Sequence, residues 1–140
     1  MGNIFKRIRK QDSFMNLNGG LWFKALSKEK YQFKSKINDK HLDSNGYCRS
    51  SFISTLFDAG IGASVQSYTL ERFSDTDSQP TVTILLSINY FKEIKNLGLL
   101  IGTAKVIKKT KNLIFMSSNL YFKREKIASA SGVWKIIKKI

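Results

Sequence analysis

Between Ser50 and about Gln66 the apolar residues Phe52, Ile53, Leu56, Phe57, Ala59, Ile61, Ala63 and Val65 fall on nearly every side of a helical wheel. That pattern predicts a helix buried on most of its faces. Ser50 and Ser51 suit its N-terminal end, and Gly46 suits the turn that leads in. Upstream, Tyr31, Phe33, Ser35 and Ile37 alternate as in a half-buried strand, and Leu21 to Leu26 reads as its neighbour across a Ser-Lys-Glu-Lys turn. A polar run, Ser74 to Gln79, precedes Pro80 and reads as a loop. After it come Thr81 to Phe91, Leu99 to Ile107, Leu113 to Phe122 and Ile127 to Ile136, all rich in β-branched and aromatic residues. These are expected to be successive antiparallel strands in meander order, with hairpin connections at Asn96 to Gly98, Lys109 to Asn112 and Lys123 to Lys126.

One apolar helix and several long strands describe an α+β layer in which the sheet covers the helix. A helix apolar on so many sides leaves further surface to bury, and a second copy of the chain is the simplest cover. The 140 residues hold a single domain, read as residues 21–140 behind a basic N-terminal segment, 1–20. Ile4 to Lys10 has the makings of a short basic helix. No apolar run is long enough to cross a bilayer, and no signal-peptide core follows the basic start. The opening Met-Gly departs from a myristoylation signal, since Lys6 stands where Ser or Thr is wanted.

Charge changes the picture. Lys and Arg number 24 against 10 acids, a formal net charge of +14, which attracts polyanions: nucleic acid, anionic membrane or phosphorylated metabolites. The clusters are small, at Lys6 to Lys10, at Lys108, Lys109 and Lys111, and at Lys135 to Lys139. A single cysteine, Cys48, makes no internal disulfide and fits a reducing cytoplasm. With His41 the only histidine, no zinc-ligand spacing exists and no metal is expected.

Two places could carry chemistry. Asp58 is the only acid between Ser50 and Gln66, and a carboxylate inside an apolar helix must be paired or used. Its bland alternative is a thin solvent-facing stripe with Thr55 and Gly62. The second place is the polar loop from His41 to Ser51, which enters the helix where free backbone N–H groups can polarise a carbonyl; most such loops are only helix caps. Gly60 to Ala63 is no dinucleotide fingerprint, because it lies inside the helix and lacks a third glycine. No nucleophile elbow is present, and a lone His41 defines no triad.

The run from His41 to Asp58 resembles the HGG-motif branch of the hotdog-fold thioesterases, related to phenylacetate-pathway and hydroxybenzoyl-CoA thioesterases. Their pattern, H-x-N-x-x-G-x-x-H-G-G followed by L-x-D, corresponds here to His41, Asp43, Gly46, Arg49, Ser50, Ser51, Leu56 and Asp58. Asp43 replaces the usual Asn, Arg49 the His, and Ser50 and Ser51 both glycines. The likeness continues through Thr83 to Phe91 and Gly98 to Trp134. It implies a hotdog fold, an antiparallel sheet wrapped around a central helix, and an acyl-CoA thioesterase working as a homodimer or dimer of dimers without a cofactor, coenzyme A thioester being the substrate. Asp58 would be general base or nucleophile, Asp43 a group from the facing subunit, and Thr83 an assisting hydroxyl. Ser50 would supply the polarising N–H, because any residue except proline keeps that donor. His41, Gly46, Arg49 and Ser51 would line the substrate site, with Lys108, Lys109 and Lys111 meeting the phosphates of coenzyme A.

The altered glycine motif leaves a second reading, a catalytically silent hotdog protein that binds acyl-CoA or a partner. Nucleic-acid binding is disfavoured: no ribonucleoprotein-type aromatic motif occurs in the strands, and the helix is too apolar to lie in a groove.

Overall fold

The computed structural model describes residues 5–7, 13–73 and 80–137. Its centre is helix α2 (Ser50–Phe73), which touches every strand from β2 to β7. The strands are β1 (Lys6–Arg7), β2 (Trp22–Ala25), β3 (Lys30–Ile37), β4 (Thr81–Tyr90), β5 (Gly98–Lys109), β6 (Leu113–Phe122) and β7 (Glu125–Ile136), all antiparallel, in the order β1-β2-β3-β5-β6-β7-β4. A short helix α1 (Ser13–Leu17) precedes β2. No helix among the described residues is long and apolar enough to cross a membrane.

The alternation read from Tyr31 to Ile37 holds in β3, and β6 shows the same period. In β3, Tyr31, Phe33, Ser35 and Ile37 turn inward; in β6, so do Ile114, Met116, Ser118, Leu120 and Phe122. They meet Phe52, Leu56, Phe57, Ile61 and Val65 of α2 in one apolar cluster. Its tightest point is Phe33: a Cβ on Gly60 of α2 or on Gly102 of β5 would overlap the Phe33 ring. The helix therefore rests on the sheet through one aromatic ring, with backbone close on both sides of it.

Four expectations change. The helix runs on to Phe73 rather than ending near Gln66, because Ser64 and Thr69 hydrogen-bond their hydroxyls back to the carbonyls of Gly60 and Gln66 and can be buried with Tyr68. The meander holds only for β5, β6 and β7: β4 pairs with the far side of β7, so Asn96 to Gly98 ends a crossover of residues 91–97 instead of closing a hairpin. Buried Ile94, whose carbonyl accepts from the Cys48 N–H, pins that crossover across the entry of α2. The packed body also extends upstream of Leu21, since Met15 of α1 is fully buried. Within Ile4 to Lys10, finally, Lys6 and Arg7 pair as strand with Trp22 and Phe23 rather than forming a helix; Ile4, residues 8–10, the Ser74 to Gln79 loop and Lys138 and Lys139 lie outside the described residues.

Two features stand out against this order. Strand β4 is an edge with no strand on its outer side among the described residues, yet Val82, Ile84, Leu85, Tyr90 and the following Phe91 are exposed; such an edge is a template for pairing. The β6–β7 turn holds Lys123 and Arg124 at φ 49° and 68°, the left-handed region where Asn-Gly is the unstrained choice.

Gly60→Ala and Gly102→Ala are each expected to lower stability by about 1–3 kcal/mol, as overpacking does, read from urea unfolding midpoints. Adding Phe33→Leu to either should recover part of the loss; no recovery would mean that the ring does not set the helix-to-sheet spacing.

Candidate active site

The chain from Ile37 into α2 is an ordered loop rather than a free polar segment. Asn38 starts a 3-10 turn (Asp39–His41), and the buried His41 imidazole ties three pieces together. Its Nδ1 accepts from the Asn38 N–H at 3.0 Å, its Nε2 donates to the Asn18 carbonyl at 3.0 Å, and the ring stacks on Phe52 with centroids 3.6 Å apart. This arrangement fits only the neutral Nε2–H tautomer. Both nitrogens are committed to backbone, so His41 offers neither to a ligand.

Asp43 is likewise engaged. Its Oδ1 accepts from the N–H groups of Asn45 (2.8 Å) and Tyr47 (3.0 Å), closing a turn that Gly46 completes at φ 85°. Asp43 and Asp58 share no hydrogen bond within the chain. The turn delivers Arg49, exposed, to the helix, where its carbonyl accepts the Phe52 and Ile53 N–H groups. The Ser50 and Ser51 N–H groups have no acceptor among the described residues, as expected of a helix's first turn.

Ser50 borders a cavity of about 500 Å³ that is also lined by Tyr47, Cys48, Ile53, Tyr90 and residues 91–94 of the crossover. The crossover and Tyr90 were not singled out from sequence, because only the topology brings the end of β4 to the start of α2. The Tyr90 hydroxyl donates to the Ser50 carbonyl at 3.2 Å and lies 2.6 Å from Ser54 Oγ, which also reaches the Ser50 carbonyl. Burial, with the Asp43 charge second, pushes the Cys48 thiol up to about 11, so it stays protonated at neutral pH and is a poor nucleophile.

Asp58 lies two helical turns further on. In the single chain it is exposed, on a stripe with Thr55 and Gly62 that the sheet leaves uncovered, and not enclosed by the apolar helix faces. It accepts a hydrogen bond from Thr83 Oγ1 of β4 at 3.0 Å and opens on a second cavity of about 400 Å³ lined by Ser54, Thr55, Ala59 and Leu86, with Phe14 and Met15 of α1. Asp58 and Thr83 thus meet, as do Ser50 and the cavity at the helix entry. Lys108, Lys109 and Lys111 do not join them within one chain: they sit at the β5–β6 hairpin, the opposite end of the sheet from the loop beside Gly98. Lys109 Nζ donates to the Thr110 carbonyl. No cluster of three or more His, Cys, Asp or Glu able to hold a metal occurs among the described residues.

Burial holds His41 below the usual histidine range, the Asn18 carbonyl opposes this and Lys40 adds to it. The stability of neutral His41 is then complete above the unfolded value near 6.5 and is lost as pH falls below it toward the lowered folded value. Urea midpoints between pH 7.5 and 5.5 should drop more for the parent than for His41→Gln; equal drops would remove His41 from the acid response.

No protein-family profile matches the chain. A Pseudomonas aeruginosa protein described as a candidate esterase is 24% identical over 132 residues, 94% of each chain. Among solved structures, a mutant of the phenylacetic acid degradation protein PaaI from Thermus thermophilus superposes with a TM-score of 0.77 at 16% identity, covering 90% of this chain and all of that one. A Streptococcus pneumoniae protein described as a hypothetical thioesterase, solved with coenzyme A, superposes at 0.73 with 17% identity over 85% and 87% of the two chains. With its long helix held by an antiparallel sheet in the same arrangement as these structures, the chain has the hotdog fold.

Proposed function

We propose that this chain is an acyl-CoA thioesterase whose site forms between two copies, with Asp58 as its catalytic carboxylate. The observation that carries the reading is the Asp58–Thr83 pair on the uncovered stripe of α2, beside an exposed apolar edge strand. Thr83 donates to one carboxylate oxygen and leaves the other to orient a water. That water attacks the thioester carbonyl carbon as its proton passes to Asp58. Charge developing on the carbonyl oxygen is met by the free N–H groups of a helix start. The C–S bond then breaks, the departing sulfur takes the proton, and a carboxylic acid and the coenzyme A thiol are released.

Distance argues for two copies. Ser50 and Asp58 are eight residues apart on one helix, about 12 Å at 1.5 Å per residue. A thioester carbonyl with its donor on one side, and a water and carboxylate on the other, spans only about 6–9 Å at hydrogen-bond lengths. A two-fold pairing through β4 sets the Thr83 end of one copy beside the Tyr90 end of the other, which brings Asp58 to the foreign helix start and covers Val82, Ile84 and Leu85. The β5–β6 hairpin lies at the Thr83 end of its own sheet, so in this pairing the Lys108, Lys109 and Lys111 that meet coenzyme A phosphates at each site belong to the copy that supplies Asp58. The esterase and thioesterase descriptions of the similar proteins and the coenzyme A in one of them support this reading.

The test is release of free thiol from a panel of short, long and aromatic acyl-CoAs. Asp58→Asn is expected to lower kcat by about 100-fold or more, the worth of a general base, with the assembly intact by light scattering. Thr83→Val should cost about tenfold, one hydrogen bond to a charged group. No turnover by the parent would favour the silent binding protein; equal rates in parent and Asp58→Asn would remove Asp58 from the mechanism.

A further inference from the structure

The sheet face turned away from α2 carries its own chemistry. Strands β2 to β6 include Lys24, Lys30, Lys34, Lys36 and Lys105 and contain no Asp or Glu; the only acid in β7 is Glu125, at its start and paired with Lys92 at 2.5 Å. By strand parity the lysines at 24, 30, 34, 36 and 105 all point outward, away from Phe33, Ile37 and Leu100. Lys30 and Lys105 are direct cross-strand partners, a like-charge pair that is unfavourable unless an anion sits between. They share a cavity of about 230 Å³ with Thr103, Ser117 and Asn119. Thr103 also borders the next groove, about 530 Å³, whose floor is Leu99, Ile101 and Tyr121 and whose rim is Lys123 and Arg124. Those two basic residues occupy the strained turn, where positive charge is kept at positions that favour Asn and Gly.

We infer that this outer face docks on an anionic lipid surface, with lipid phosphates at the Lys30 and Lys105 cavity and along the Lys123 and Arg124 rim, and with Leu99 and Ile101 entering the interfacial layer. An apolar strip framed by lysines is the pattern of a peripheral membrane contact. The exposed apolar residues are aliphatic, Leu97, Leu99, Ile101 and Ile107, while Tyr121 is half-buried; single-stranded nucleic acid would want exposed rings on which bases stack. A second copy laid face to face would oppose two basic sheets with no acid in their middle strands.

Sedimentation with vesicles of phosphatidylglycerol and phosphatidylcholine tests this. Binding is expected to the anionic vesicles, to weaken with added salt, and to be absent from pure phosphatidylcholine. The double variant Lys123→Asn, Arg124→Gly should unfold at higher urea than the parent, because its turn is relaxed, and yet bind about 25-fold more weakly, two charges at roughly fivefold each. Ile101→Ser should also weaken binding, while both variants keep the parent's thiol release from a short-chain acyl-CoA. Equal binding to neutral vesicles, undiminished binding by the double variant, binding to an oligonucleotide but not to vesicles, or a sheet-face tetramer that the double variant dissolves would each overturn the proposal.

Discussion

The Phe33 ring, set between Gly60 of the helix and Gly102 of the sheet, fixes how closely α2 lies on its strands. Interiors pack like organic crystals, so a ring held by backbone on both sides leaves the helix one depth to occupy. Everything functional follows from that depth. It decides which stripe of α2 the sheet reaches and which it leaves open, and Asp58, Thr55 and Gly62 lie on the open one. It also lays β4 along α2 within hydrogen-bond reach at both ends, so that Tyr90 meets the Ser50 carbonyl at the helix start and Thr83 meets Asp58 two turns on.

Much of this was legible in the sequence, and the physics explains which part. Period-2 alternation in Tyr31 to Ile37 and apolar crowding in Phe52 to Val65 are local signals, and the structure bears them out nearly residue for residue. The order of strands is not local. Nothing in Thr81 to Phe91 says that it pairs with β7 on the far edge, so local signals favour a meander and carry no mark of the crossover that walls the cavity at Ile94. The helix end is hidden for a different reason. Ser64 and Thr69 look polar in sequence but satisfy their hydroxyls on the helix itself, which lets them be buried.

The candidate site divides the same way. Asp58 and Thr83 are 25 residues apart in sequence and joined by a hydrogen bond in space, a contact that only the packing of β4 on α2 creates. His41 and Asp43 show how a motif residue can act through the backbone: each spends its polar atoms on loop N–H and C=O groups, and together they present the helix start with two open donors. The replacements at Ser50 and Ser51 leave those N–H groups in place. The outer sheet face was legible only as a net charge; parity and register were needed to gather its lysines on one side.

Subunit complementation tests the central claim that the helix start and the carboxylate come from different copies. Asp58→Asn lacks the acid, and Ser50→Pro lacks one donor at a helix position that accepts proline. Each homodimer should be inactive. In an equal mixture half the dimers are mixed and one of their two sites is intact, so about a quarter of the parent's thiol release should return. No recovery, in a mixture shown to exchange subunits, would mean that both groups act within one chain, and a fully active Ser50→Pro homodimer would mean that the helix start has no part in the reaction; either result would contradict the account.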